Sequence, residues 1–255
     1  MVLSMDRWVG KVAIVTGASA GIGAAICEKL VENGLQVVGV ARRKEKIEEL
    51  SQKLIGKSGK LHAVKADLTK EEDILGAFEW VKDNLGPVHI LVNNAGIVQF
   101  GNLTEGDTES WRQVLDLNVL GLCIATREAI KNMKENNVDG HIIHINSIAG
   151  HKVPNITSFS IYPASKFAVT ALTESLRLEL NSLESKIRIT SISPGATETE
   201  FLETSNVDPN DAQLAKAFKT VLRTEDIADA VVYVLSTPPH VQIHELTIKP
   251  VNEEF

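Results

Sequence analysis

Tyr162 and Lys166 stand four residues apart in the stretch Tyr162-Pro163-Ala164-Ser165-Lys166. On a helix that spacing puts both side chains on one face, within reach of each other. Pro163 suits the first helical turn, where a missing backbone N–H costs nothing. A tyrosine near its ordinary pKa of about 10 is a poor base at neutral pH. An ammonium roughly 4 Å away, at an effective dielectric near 20, would contribute about 4 kcal/mol. At its upper limit that is around three pKa units. The expected result is a phenol drawn down toward neutrality, able to give a proton to a carbonyl or take one from an alcohol.

The pair gains weight from its company. Ser147 follows the apolar run His141–Asn146, which puts it at the C-terminal sheet edge where open α/β folds bind ligands. Its hydroxyl could hold a substrate oxygen. Asn93, Asn94, Ala95 and Gly96 end another apolar run at that edge. Pro194-Gly195 ends a third, followed by Thr197 and Thr199, whose hydroxyls could reach amide or phosphate groups of a ligand at that edge. Asn118 is polar within the series Val114, Leu115, Leu117, Val119, Leu120. Once buried it needs partners, either a water leading to Lys166 or neighbouring backbone.

The elements that position these residues alternate along the whole chain. Strands are expected at Lys11–Thr16, Leu35–Val40, Leu61–Ala66, His89–Val92, His141–Asn146, Ile187–Ser191 and Glu245–Ile248. Helices are expected at Gly21–Asn33, Lys44–Leu54, Glu71–Asn84, Glu109–Asn136, Pro163–Leu183 and Glu225–Leu235. Strands separated by such helices imply βαβ crossovers and a parallel sheet covered on both faces. Runs such as Val12-Ala13-Ile14-Val15 are continuously apolar, as doubly buried strands should be. The fold class is α/β: one Rossmann domain over residues 1–255, a doubly wound parallel sheet of about seven strands with helices on both faces. The least regular stretch, 196–220, is the candidate substrate loop.

The first strand runs into Gly17, Ser19, Ala20, Gly21, Ile22 and Gly23 and then a helix. Glycines permit a sharp turn and close backbone approach, and a helix N-terminus offers free N–H groups to a pyrophosphate. At the end of the second strand an acid would suit the ribose of NAD, whereas arginine suits the 2′-phosphate of NADP. Arg42 and Arg43 stand there, which favours NADP(H). Asp67 and Leu68, after the third strand, are placed either to flank an adenine or, for Asp67, to cap the next helix.

Bulk properties narrow the rest. A net charge of −7 argues against nucleic acid as main partner. No apolar stretch is long enough to span a bilayer and no signal peptide is visible, so the cytoplasm is the expected compartment. Cys27 and Cys123 form no metal or disulfide pattern. His141, His144 and His151 lack accompanying carboxylates, and no metal is expected.

The glycine-rich turn, Asp67, Asn93–Gly96, Asn118, Ser147, Tyr162/Lys166 and Pro194-Gly195 together resemble the short-chain dehydrogenase/reductases of the compact branch, from Lys11 to about Lys249. The resemblance implies that Tyr162 is the general acid/base and that Lys166 lowers its pKa and contacts the nicotinamide ribose. It implies that Ser147 orients substrate and Asn118 supports a proton relay. The Ser147–Tyr162 interval is longer than the family's commonest spacing, a departure that falls on the shape of the substrate loop. Ala41-Arg42, Ile47–Leu50, Ile145–Ser147 to His151 and Tyr233 to Pro238 are similar to members that include farnesol dehydrogenases and 3-keto/17-ketosteroid reductases. That implies a bulky apolar alcohol or ketone, for which Ile148, Val153, Ile156, Phe159, Phe201 and Leu202 are candidate walls. Two helices apolar around more than one stripe imply a homodimer or homotetramer. The alternative function is a catalytically silent NADP(H)-binding sensor or scaffold. A nucleotide-sugar epimerase is disfavoured, since little chain follows Pro194-Gly195 to build a substrate domain.

Overall fold

The computed structural model describes residues 3–199 and 212–253. Seven parallel strands form one sheet in the order β3-β2-β1-β4-β5-β6-β7. They are β1 (Val12–Thr16), β2 (Gln36–Ala41), β3 (Lys60–Lys65), β4 (Val88–Asn93), β5 (His141–Ile145), β6 (Arg188–Pro194) and β7 (Glu245–Ile248). The interior strands β1, β5 and β6 are buried at every position, while the edge strands β3 and β7 are only partly so. That contrast follows from helices packing on both faces of the centre. The helices are α1 (Gly21–Glu32), α2 (Lys44–Lys53), α3 (Glu71–Leu85), α4 (Thr108–Leu115), α5 (Leu122–Glu135), α6 (Tyr162–Ser182), α7 (Ala212–Ala217) and α8 (Thr224–Ser236).

Each face has its own core. One gathers Ile26, Leu30 and Val31 of α1 with Ile227, Val231 and Val234 of α8 against Val15, Val37 and Ile192. The other gathers Ile74, Phe78 and Val81 of α3, Ala129 and Met133 of α5 and Leu176 of α6 against Ile14, Leu91 and Ile142. The strand order reverses between β1 and β4, and at such a switch point the carboxyl ends of the strands leave a crevice for a ligand.

Three elements depart from the sequence-based expectation. The single helix expected at Glu109–Asn136 is α4 and α5 joined by a π-helical segment, Asp116–Gly121. The wider turns carry Asn118, and such segments often mark functional positions. Strand β6 continues to Pro194 instead of ending at Ser191, because Ser191–Pro194 pair with β7. The irregular stretch 196–220 contains α7, and part of it lies outside the described residues. Among the described residues no helix is long and apolar enough to cross a membrane.

Candidate active site

The turn after β1 is held in a shape that only glycine takes easily. Gly17 has φ +68° and Gly21 has φ +57°, in the left-handed region where a side chain is strained. Asn94 clamps this turn to the end of β4, its Nδ2 donating to the carbonyls of Thr16 (2.9 Å) and Gly17 (3.3 Å). Thr16 Oγ1 accepts from the Asn94 and Ala95 amides at 3.0 and 3.1 Å. Helix α1 then begins at Gly21 with no side chain capping it, leaving its first amides for an anion. Gly23 was expected among the cofactor contacts but does not line the cavity. A Cβ there would strike the Gly17 carbonyl and the Asn94 amide, so Gly23 is the packing glycine that lets α1 approach the turn.

Arg42 and Arg43 are exposed at the end of β2, and Arg43 Nη2 donates to Ser19 Oγ at 3.4 Å. Asp67 does not cap α3, whose N-cap is Lys70. Its Oδ1 accepts from the amide and hydroxyl of Thr69 at 3.1 and 2.8 Å. Burial pushes its carboxyl up, but the Thr69 hydrogen bonds and the charges of Arg42 and Lys70 outweigh that and hold it below its ordinary value.

At the chemical end, Tyr162 opens α6 and its hydroxyl is hydrogen-bonded to Ser147. Ser147 also accepts from the Ala149 amide at 3.1 Å, which orients it as the cap of a short 3-10 turn. Lys166 Nζ lies 5.9 Å from the Tyr162 ring centre and donates to the Ile145 carbonyl at 3.0 Å. Asn118 is buried, and its partners are the Ile97 backbone and one side chain. Its Oδ1 accepts from the Ile97 amide at 2.8 Å, while Nδ2 donates to the Ile97 carbonyl (2.9 Å) and to Ser165 Oγ (3.1 Å).

The expected drop of the phenol's pKa is not met. Burial pushes Tyr162 up to about 12, and the Ser147 hydrogen bond only partly opposes this. Burial also brings Lys166 down to about 8. The ammonium is tied to the Ile145 carbonyl, and the low-dielectric surroundings penalise tyrosinate more than the lysine stabilises it.

Both ends open onto one cavity of about 780 Å³. Its walls include Gly17, Ser19, Ala20, Gly21, Ile22, Arg42, Arg43, Asp67, Leu68, Asn94, Ala95, Gly96, Ser147, Tyr162, Lys166, Pro194, Gly195, Thr197 and Thr199. The volume lies within the range of small-molecule and cofactor sites, and the glycine cradle, free helix end and arginines fit a dinucleotide with a phosphate on its ribose. Ile148, Ile156 and Phe159 line the same cavity. Val153 does not: it is 64% exposed on the loop after the 3-10 turn, facing solvent instead of the cavity. Phe201 and Leu202 lie outside the described residues. Sequence reasoning passed over Gln99, Gln113, Ala149 and Phe218, which also line the cavity. Phe218 falls in the suspected loop, but no pattern set it apart from other aromatics there.

The buried histidines have structural partners. His141 Nε2 meets Thr190 Oγ1 at 2.9 Å, and His144 bridges Thr126 and Thr173 at 3.3 and 3.0 Å. Burial, with Lys166 adding repulsion, drives His144 down to about 3, so it stays neutral and serves no proton transfer near neutral pH. Among the described residues no group of His, Cys, Asp and Glu is arranged to hold a metal ion.

A switch-point crevice with a glycine cradle at one end and a Ser–Tyr–Lys cluster at the other is the arrangement of a dinucleotide-dependent oxidoreductase. The chain belongs to the short-chain dehydrogenases, whose family model matches residues 11–210. It is 52% identical over 253 residues to a farnesol dehydrogenase of Aedes aegypti, covering 98% of this chain and 100% of that protein. It is 47% identical over 253 residues to the mouse (Mus musculus) dehydrogenase/reductase SDR family member 11, covering 98% and 97%. The finer resemblance read from the sequence is thus met among its relatives. Of solved structures, a serine dehydrogenase complexed with NADP+ superposes with TM-score 0.84 at 30% identity, covering 96% of each chain. A dehydrogenase/reductase from Burkholderia phymatum complexed with NAD superposes with TM-score 0.83 at 25% identity, covering 97% and 90%. The fold accommodates either cofactor, and the choice falls to side chains.

Proposed function

We propose that this protein is an NADP(H)-dependent oxidoreductase of apolar alcohols and their carbonyl counterparts, either an isoprenoid alcohol such as farnesol or a steroid ketone. One observation carries the reading. The Ser147–Tyr162–Lys166 cluster and the Arg42–Arg43 pair line the two ends of a single cavity. Arg42 and Arg43 would hold the 2′-phosphate, the Gly17–Ile22 turn the pyrophosphate, and Pro194 to Thr199 the nicotinamide end. Bound there, the cofactor supplies or accepts the hydride. Ser147 orients the substrate oxygen, Tyr162 exchanges a proton with it, and Lys166 sets the electrostatic field around the phenol. Asn118 ties the π-helical segment to Ile97 and to Ser165 of α6, which fixes the floor beneath Lys166.

The apolar substrate class rests on Ile148, Ile156, Phe159 and Phe218 in the wall, on the 52% identity to a farnesol dehydrogenase, and on segment 196–220 as the substrate loop. The silent-sensor alternative finds no support, since all four side chains of the cluster are present and gathered. Absorbance at 340 nm is the test, with farnesol, steroid ketones, diketones and sugars, each with NADP(H) and NAD(H). Turnover of the apolar members with NADP(H) preferred is the expected result. Turnover confined to sugars, or an NAD(H) preference, would refute it.

We also propose a homodimer or homotetramer. Leu115 and Leu120 along the α4–π stretch and Phe167 and Leu178 on α6 are exposed, an apolar excess that buries well against a second copy. Sedimentation velocity at micromolar concentration should give a species of two or four chains, and a monomer would exclude this.

A further inference from the structure

Glu253 follows β7, yet its carboxylate is packed against the carboxyl end of β6. The side chain is only 2% exposed, and Lys249 Nζ stands 3.5 Å from Oε2. Oε1 accepts a hydrogen bond from the Ala196 amide at 2.7 Å. Oε2 has no hydrogen-bond donor among the described residues. Gly195 makes the room: a Cβ there would lie 2.5 Å from Oε1 and 2.7 Å from Oε2. Gly195 and Ala196 are cavity wall, together with Ile145, Asn146, Ser147 and Lys166. A buried carboxylate therefore sits directly behind the backbone at the chemical end of the cavity. Its counter-ion is a lysine whose side chain is 35% exposed, so water screens the partner more than the carboxylate itself. A buried acid with one oxygen lacking a donor is costly to stability. Its contribution is sought in the wall it supports and the field it casts there.

We propose that Glu253 is a positioning residue for the nicotinamide end of the cavity. It holds the Gly195–Ala196 backbone in place, and its negative charge favours the oxidised cofactor, whose ring is positive, over the reduced one, whose ring is neutral. This rests on the cofactor reading above. It also gives the bound enzyme a direction, because stabilising the oxidised ring shifts the internal equilibrium toward NADP+ and the alcohol.

The test is titration calorimetry of NADP+ and NADPH, without substrate, on wild type, Glu253→Gln and Lys249→Met, with hydrogen exchange of residues 195–199. Glu253→Gln retains an acceptor for the Ala196 amide but loses the charge. Exchange should stay near wild type while the preference for NADP+ over NADPH falls about fivefold, the scale of one partly screened charge. Lys249→Met unmasks the carboxylate and should raise that preference about twofold, the opposite sign. Glu253→Ala loses the acceptor as well, so residues 195–199 should exchange faster and both cofactor forms bind more weakly. If Glu253→Gln does not fold, Lys249→Met still decides, because its substitution lies at a partly exposed side chain. A preference unchanged in both variants, or moved in the same direction by both, overturns the proposal. A wild-type protein that binds neither form overturns the cofactor reading instead, and this proposal with it.

Discussion

Tyr162→Phe should lower kcat by about 10³-fold or more, toward the upper range for loss of a general acid/base, and leave NADPH affinity within about twofold. The substitution removes one oxygen. The ring still packs edge-on against Phe159, whose centre lies 5.7 Å away, so the wall is preserved and the loss reports proton transfer. The phenol at about 12 and the ammonium at about 8 make the pH dependence specific. With its pKa raised by burial, Tyr162 keeps its proton throughout the neutral range, which suits carbonyl reduction, where it donates. Alcohol oxidation needs tyrosinate and gains from any positive charge brought near the ring, so its rate should rise with pH and the reverse rate should fall. The chain has only two tyrosines, Tyr162 and Tyr233, so absorbance at 295 nm can follow this one by difference against Tyr162→Phe. Its midpoint should stand well above 10 without cofactor and move down with NADP+ bound. A mutant retaining most of its kcat, or a midpoint unmoved by NADP+, would refute the assigned role.

The same two shifts set opposite stability trends. For Lys166 the folded pKa is depressed from 10.5 to about 8. Between those values the unfolded chain holds a proton the folded one has lost, so stability rises with pH there. For Tyr162 the folded value is raised from 10.0 to about 12. Across that window the folded chain holds the extra proton, and stability falls as pH rises.

Much of this was legible in the sequence because it rests on local patterns. Continuous apolar runs such as Val12–Val15 mark doubly buried strands, and the glycine turn, Ser147 and Tyr162/Lys166 all fall at strand ends or helix starts that those runs define. What stayed hidden depends on tertiary contacts. The π-helical segment Asp116–Gly121 leaves no gap in the apolar spacing of Val114 to Leu120, and only the backbone pairing of the folded chain shows its wider turns. Gly23 reads like its neighbours in the glycine turn, and only the approach of α1 to Gly17 separates packing from lining. The Tyr162 pKa failed for a related reason: spacing gives the proximity of a lysine, but not the burial that opposes its charge. Glu253 lay beyond pattern altogether, because nothing nearby in sequence announces a contact with Ala196 57 residues away.

The largest effect on cofactor choice should come from Arg42→Asp, which is expected to weaken NADPH about 100-fold while NADH changes severalfold at most. Charge-assisted hydrogen bonds to a phosphate are each worth about 1.5–3 kcal/mol, and tenfold in affinity is about 1.4 kcal/mol. Exposure of the Arg42 side chain argues for the lower end of that range. Replacement by an acid adds repulsion against the 2′-phosphate while offering an acceptor to the free 2′-hydroxyl of NADH. Arg43 is expected to matter less, because its guanidinium is partly engaged with Ser19 Oγ on the turn side. Arg43→Asp should therefore cost about tenfold, and the double variant should approach or cross into NADH preference. Asp67 limits the outcome: its carboxyl is stabilised in part by the Arg42 charge, so Arg42→Asp sets two acids near each other, and some loss for both cofactors will follow from that alone. Arg42→Ala separates the contributions, since it removes the phosphate partner without adding an acid. Fluorescence titration of NADPH and NADH on the four variants makes the measurement, and equal losses for both cofactors in Arg42→Ala would remove Arg42 from the 2′-phosphate site.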